Sequence, residues 1–136
     1  IAAGGIVGPD SVRAAIVLGA AAVQAGTAYL LCPEALTSPL HRAALADPRS
    51  LTALTNVLTG RPARGIVNRL MAELGPIHPD APPFPFAAGA LAGLRAAAEA
   101  SGRTDATPLW SGQNTTGCRA VPAAEITESL AAGLPG

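Results

Sequence analysis

Residues 1–8, IAAGGIVG, decide the fold. The apolar run Ile1 to Ala3 reads as the end of a β-strand, and Gly4, Gly5 and Gly8 form the turn that leaves it. Pro9 and Asp10 then open a helix, because proline suits the first helical position and a carboxylate complements the positive end of the helix dipole. Val12, Ile16 and Val17 give that helix an apolar face, Arg13 lies outside it, and Gly19 stops it. Residues 22–25, AVQA, supply a second short strand. Gly26-Thr27 supplies a second glycine turn, and AYLLC (28–32) a short helix. This order is a βαβ unit with an appended helix, which implies parallel strands joined by a right-handed crossover.

A strand that ends in glycines and feeds a helix exposes backbone N–H groups to an anion. Glycine permits positive φ and close approach, and the helix start adds roughly half a positive charge. Two folds compete for such a turn. The dinucleotide fingerprint would align with Ala3-x-Gly5-x-x-Gly8, but it asks for an acidic residue about 20 positions on, where the second strand offers Gln24. A (β/α)8 barrel asks for a second phosphate turn after the next strand, followed by a short extra helix. Gly26-Thr27 and AYLLC meet that demand, with the Thr27 hydroxyl and N–H both able to donate to the same phosphate.

The remaining chain has a different texture. Pro39 to Asp47 reads as a helix capped by Ser38. Leu51 to Leu58 is strand-like. TGRPARGIVNRLMAELG (59–75) reads as a turn with two arginines, then a helix ending at Gly75. PIHPDAPPFPF (76–86) is a proline-rich loop. Ala87 to Ser101 reads as one alanine-rich helix stopped by Gly102. PLWSGQNTTG (108–117) is a short apolar piece and a polar loop, and Pro122 to Ala132 a last helix with proline at its first position.

Composition narrows the chemistry. The 136 residues are 49 % hydrophobic and 13 % charged, a globular balance with much surface to cover, and the formal net charge is zero. That balance gives no electrostatic case for nucleic acid or an anionic membrane. All nine basic residues are arginine, so neither a Walker A lysine nor a Schiff-base lysine exists in this chain. Cys32 and Cys118 are too few for a disulfide scaffold and suit a reducing, cytoplasmic setting. No run approaches the roughly 18 apolar residues of a membrane span. His41, His78, Cys32 and Cys118 lack zinc spacing, and the carboxylates show no paired arrangement. His41 and His78 read as surface or packing residues, and Arg61 and Arg64 as loop-fixing residues rather than an anion grip.

IAAGGIVGPDSVRAAIVLGAAAVQAGTAYLLCPE (1–34) closely resembles the last two strands of the nitronate monooxygenase family, formerly called 2-nitropropane dioxygenases. The resemblance extends through TGRPARGIVN (59–68) and PLWSGQNTTG. It implies an α/β chain that is the C-terminal portion of an FMN-binding (β/α)8 barrel with an appended helical segment. Residues 1–38 would be the last barrel βαβ unit, 39–107 a helical insert, and 108–136 a closing loop and helix. Gly4 and Gly5 would donate N–H groups to the FMN phosphate. Gln24, Ala25, Gly26 and Thr27 match the second phosphate-binding segment, and Trp110 to Asn114 would lie near the mouth of the flavin pocket. The implied substrates are an alkyl nitronate and O2. The family's catalytic histidine has no matching motif in this chain, so no catalytic or metal residue is assigned. Since Ile1 begins inside a strand, earlier barrel strands and that histidine are expected outside these residues, in a missing N-terminal barrel half or a homo-oligomer partner. A flavin reductase acting on an enoyl thioester or quinone, and a non-catalytic phosphate-binding half-barrel, are the alternatives.

Overall fold

The computed structural model describes residues 1–135. The chain divides into two compact units, Ile1–Pro48 with Ser111–Gly136, and Arg49–Trp110.

In the first unit β1 (Ala2–Ala3) pairs in parallel with β2 (Val23–Gln24), Ala2 opposite Val23 and Ala3 opposite Gln24. Helix α1 (Pro9–Val17) is the crossover between them. A one-turn 3-10 helix, Thr27–Tyr29, follows β2, and α2 (Pro39–Ala46) starts where Ser38 Oγ accepts the His41 N–H at 3.3 Å. Strands this short cannot stand by themselves. Val12, Ala28 and Cys32 form their core with Ile126 and Leu130 of α6 (Ala123–Ala131), and burial of a side chain the size of Val12 or Ile126 contributes about 1.5–3 kcal/mol. Helix α6 comes close to α1 because residue 133 is glycine; a Cβ there would collide with the Pro9 carbonyl. Glu34 Oε1 accepts the Ala123 N–H at 3.0 Å, so the start of α6 is capped from 89 residues away.

In the second unit β3 (Thr52–Thr55) pairs antiparallel with β4 (Ala63–Ile66). Trp110 extends this pairing as an isolated antiparallel bridge to Gly65. Helix α3 (Arg69–Leu74) is capped by Asn68, whose Oδ1 accepts the Met71 N–H at 3.0 Å while its Nδ2 donates to the Thr107 carbonyl at 3.1 Å. Helices α4 (Phe86–Ala90) and α5 (Ala92–Ala100) follow, and Val57, Leu58 and Met71 form the core.

The structure corrects four expectations. Residues 63–66 form a strand rather than part of an arginine turn: Arg64 lies opposite Leu54 and donates to the Thr52 carbonyl at 3.3 Å. The strand-like run 51–58 ends at Thr55, where Asn56 turns aside to bond the His78 backbone in both directions, at 3.0 and 2.9 Å. The single helix over 87–101 is two helices that meet at Leu91. On α1, Val12 is fully buried but Val17 is 80 % exposed, so the apolar face is narrower than its sequence suggests.

Candidate functional site

Because β1 and β2 are parallel neighbours, the turns that follow them leave from the same edge of the sheet. Gly4 and Gly5 have φ of 91° and 74°, the left-handed region that disfavours any side chain. They line a cavity of about 200 Å³ together with Gln24, Gly26 and Thr27. Ala3, Ile6, Val7 and Gly112 complete its wall.

The cavity is a set of donors. Within the described residues, no hydrogen bond engages the N–H of Gly5, Gly26 or Thr27. The N–H groups of Val7 and Gly8 are spent locally, both on Ser11 Oγ at 3.1 Å, while that hydroxyl donates to the Gly8 carbonyl at 2.7 Å. The cradle therefore sits at the two glycine turns rather than at the first amides before α1. Thr27 Oγ1 accepts the Gly112 N–H at 2.8 Å, which leaves its own hydrogen to donate. A Cβ on residue 112 would lie 3.3 Å from Thr27 Oγ1 and 3.5 Å from the Gly5 nitrogen, filling the space between the turns. Free N–H donors, a hydroxyl and no carboxylate in the lining are the donor set that a phosphate requires.

The thiols nearby keep this edge free of negative charge. Cys118 Sγ donates to the Thr27 carbonyl at 3.2 Å, and burial, then the neighbouring Cys32, pushes its pKa up. Burial, then Glu34, raises that of Cys32. Both stay neutral at pH 7.

Of the six residues singled out from the sequence, the cavity gathers Gly4, Gly5, Gln24, Gly26 and Thr27. The sixth, Ala25, packs against the core of Val12 and Ala28. Trp110 packs against Val57, Leu58 and Met71, with its ring over Gly65, and two residues on Gly112 lines the cavity. The Gln113 side chain passes close to Gly5. His78 is held in its loop, its Nδ1 accepting the Asp80 N–H at 3.2 Å, and His41 sits in the first turn of α2. Arg61 stacks on Phe84 at 4.8 Å. Gly112 belongs to the stretch Trp110 to Asn114 expected near the mouth of the pocket, but its place in the cavity wall is not singled out by the sequence. Its only sequence signal is a glycine in a polar loop; the contact to Thr27 spans 85 residues. No helix among the described residues is long and apolar enough to cross a membrane.

A parallel βαβ unit whose two glycine turns open on one cavity lined with unengaged N–H donors defines an α/β protein. The chain belongs to the nitronate monooxygenase family, whose profile matches residues 1–133. It is 44 % identical to the nitronate monooxygenase of Pseudomonas aeruginosa over all of its length, which is 39 % of that enzyme. A probable nitronate monooxygenase of Bacillus subtilis is 36 % identical over 83 % of this chain and 33 % of its own. This chain thus spans between a third and two fifths of these relatives. Among solved structures, the nitroalkane oxidase of Streptomyces ansochromogenes superposes with a TM-score of 0.82 at 40 % identity, covering 97 % of this chain and 38 % of that one. FabK from Thermotoga maritima does so with a TM-score of 0.67 at 26 % identity, covering 94 % and 41 %. The nitronate monooxygenases and the nitroalkane oxidase are oxidoreductases by name, and the chain matches the C-terminal part of the nitronate monooxygenases.

Proposed function

We propose that these residues are the C-terminal portion of an FMN-dependent (β/α)8 oxidoreductase that oxidises alkyl nitronates with O2 in the cytoplasm, and that they supply the phosphate end of its FMN site. The observation that carries this reading is the convergence of two glycine turns on one cavity, with glycine at position 112 where any side chain would fill it. Gly4, Gly5, Gly26 and Thr27 would donate to the phosphate; Gln24 would face the ribityl chain, and the backbone of Ala25 would carry the turn between them. Bound FMN would supply the redox chemistry, taking electrons from the nitronate and passing them to oxygen. The residues of this chain do a different job. They orient the phosphate through fixed dipoles, and the absence of a side chain at position 112 keeps the space between the two turns open to the anion. No residue of this chain is assigned as the proton-abstracting base.

The test uses the full-length protein. Its visible spectrum should carry flavin bands, as isolated or after FMN is added, and a nitronate should drive O2 uptake. A protein that neither holds nor takes up flavin overturns the reading. Turnover of NADH with a quinone, and none with a nitronate, replaces it with a reductase of the same fold.

A further inference from the structure

The second phosphate turn is built on a helix too short to hold its own shape. Thr27–Tyr29 is three residues long, and a helix of that length gains little from its own hydrogen bonds. Its bonds continue as a chain of turns: Tyr29 N–H to Gly26 O at 3.0 Å, Leu30 to Thr27 at 3.1 Å, Cys32 to Tyr29 at 3.0 Å and Ala35 to Cys32 at 3.0 Å. One guanidinium closes the far end of this chain. Arg42, on α2, donates from Nη1 to Leu31 O at 2.8 Å and from Nη2 to Cys32 O at 2.7 Å and Ala35 O at 2.9 Å. Its Nε donates to Thr37 O at 3.1 Å. Four carbonyls from residues 31–37 thus converge on one planar cation. A fork of five fixed donors can do this, whereas an ammonium with three rotatable ones cannot match it.

We infer that Arg42 is a positioning residue for the FMN phosphate: by gathering the carbonyls of residues 31–37 it fixes the turn whose other end presents the Gly26 and Thr27 amides. The inference rests on the proposed phosphate cradle. It locates the support in a side chain that does not line the cavity, and it assigns Arg42 no contact with the cofactor. Tyr29 and Cys118 brace the same turn from other directions, the first by a 2.9 Å bond to Thr127 and the second through the Thr27 carbonyl. They hold single points, while Arg42 holds a seven-residue span.

Because riboflavin is FMN without the phosphate, it separates a positioning role from a merely structural one. Flavin fluorescence quenching would give dissociation constants for both ligands in the full-length protein, as wild type, Arg42→Lys and Arg42→Ala, with thermal melting in parallel. The wild type should prefer FMN. Arg42→Lys should lose about tenfold in FMN affinity and less than about twofold in riboflavin affinity, a change of about 1.0–1.4 kcal/mol for the phosphate alone. Arg42→Ala should lose more, and if it does not fold, the lysine variant decides. FMN and riboflavin weakened alike, or neither weakened, in a folded Arg42→Lys protein overturns the inference. A wild type that binds the two flavins equally overturns the cradle itself.

Discussion

The two units are built on opposite principles. The functional edge of the one formed by residues 1–48 and 111–136 is mostly backbone: two-residue strands, left-handed glycines and amides that face a cavity instead of a partner. The unit of residues 49–110 is held by side chains. Asn56 and Asn68 each tie two distant segments, Arg64 crosses its own hairpin, and Leu58, Met71 and Leu109 are buried almost completely. A backbone-lined cavity is sensitive to added atoms at its tight point, Gly112, but loses little when a neighbouring side chain is trimmed. A side-chain lattice behaves the other way round. Substitutions should therefore separate the units by what they change, binding in the first and stability in the second.

The largest expected effect is in the second unit. Leu58→Ala should lower the stability of the full-length protein by about 2–5 kcal/mol, read from the denaturant midpoint, because it empties a fully enclosed position. Asn68→Ala should cost about 2–3 kcal/mol, since it removes the cap of α3 and leaves the buried Thr107 carbonyl without its donor. Gly112→Ala should leave the melting temperature nearly unchanged but weaken FMN about tenfold. An equal loss of FMN affinity in Leu58→Ala and Gly112→Ala would break the contrast between the units.

The thiols give a smaller effect, dependent on pH. Burial raises both pKa values, so the folded state holds the thiol protons more tightly than the unfolded chain does. Their contribution is complete below the ordinary thiol value of about 8.5 and is lost as pH rises from there through the raised values. Melting temperatures between pH 7 and 10 should fall more steeply for the wild type than for a Cys32→Ala, Cys118→Ala variant, and labelling of Cys118 by a thiolate-selective reagent should stay slow at pH 8. Rapid labelling at that pH would contradict the neutral edge beside Thr27.

The same contrast explains what the sequence could reveal. The βαβ frame is legible because its signals are local: glycines after a strand, then Pro9 and Asp10 at a helix start. Strand β4 is not, since ARGI carries an arginine and a glycine in a strand of four, and its pairing with β3 and with Trp110 is decided by residues far away. Leu91 breaks an alanine-rich run that has no periodic pattern to mark the break. At the cavity, Gly4, Gly5, Gly26 and Thr27 announce themselves through two glycine turns and Gln24 through the family resemblance, whereas Gly112 is brought in by a single bond across 85 residues. Arg42 is still less visible, because an arginine that serves carbonyls instead of a carboxylate leaves no charge pattern behind.

The central claim is that the two glycine turns form one cradle for the FMN phosphate, and a carboxylate placed in it tests this most directly. Gly26→Asp in the full-length protein puts a negative charge in the cavity wall, where the backbone leaves open space for a side chain. The account predicts a folded protein with FMN affinity reduced by at least about tenfold and riboflavin affinity nearly unchanged. Unaltered FMN retention in that variant would contradict it.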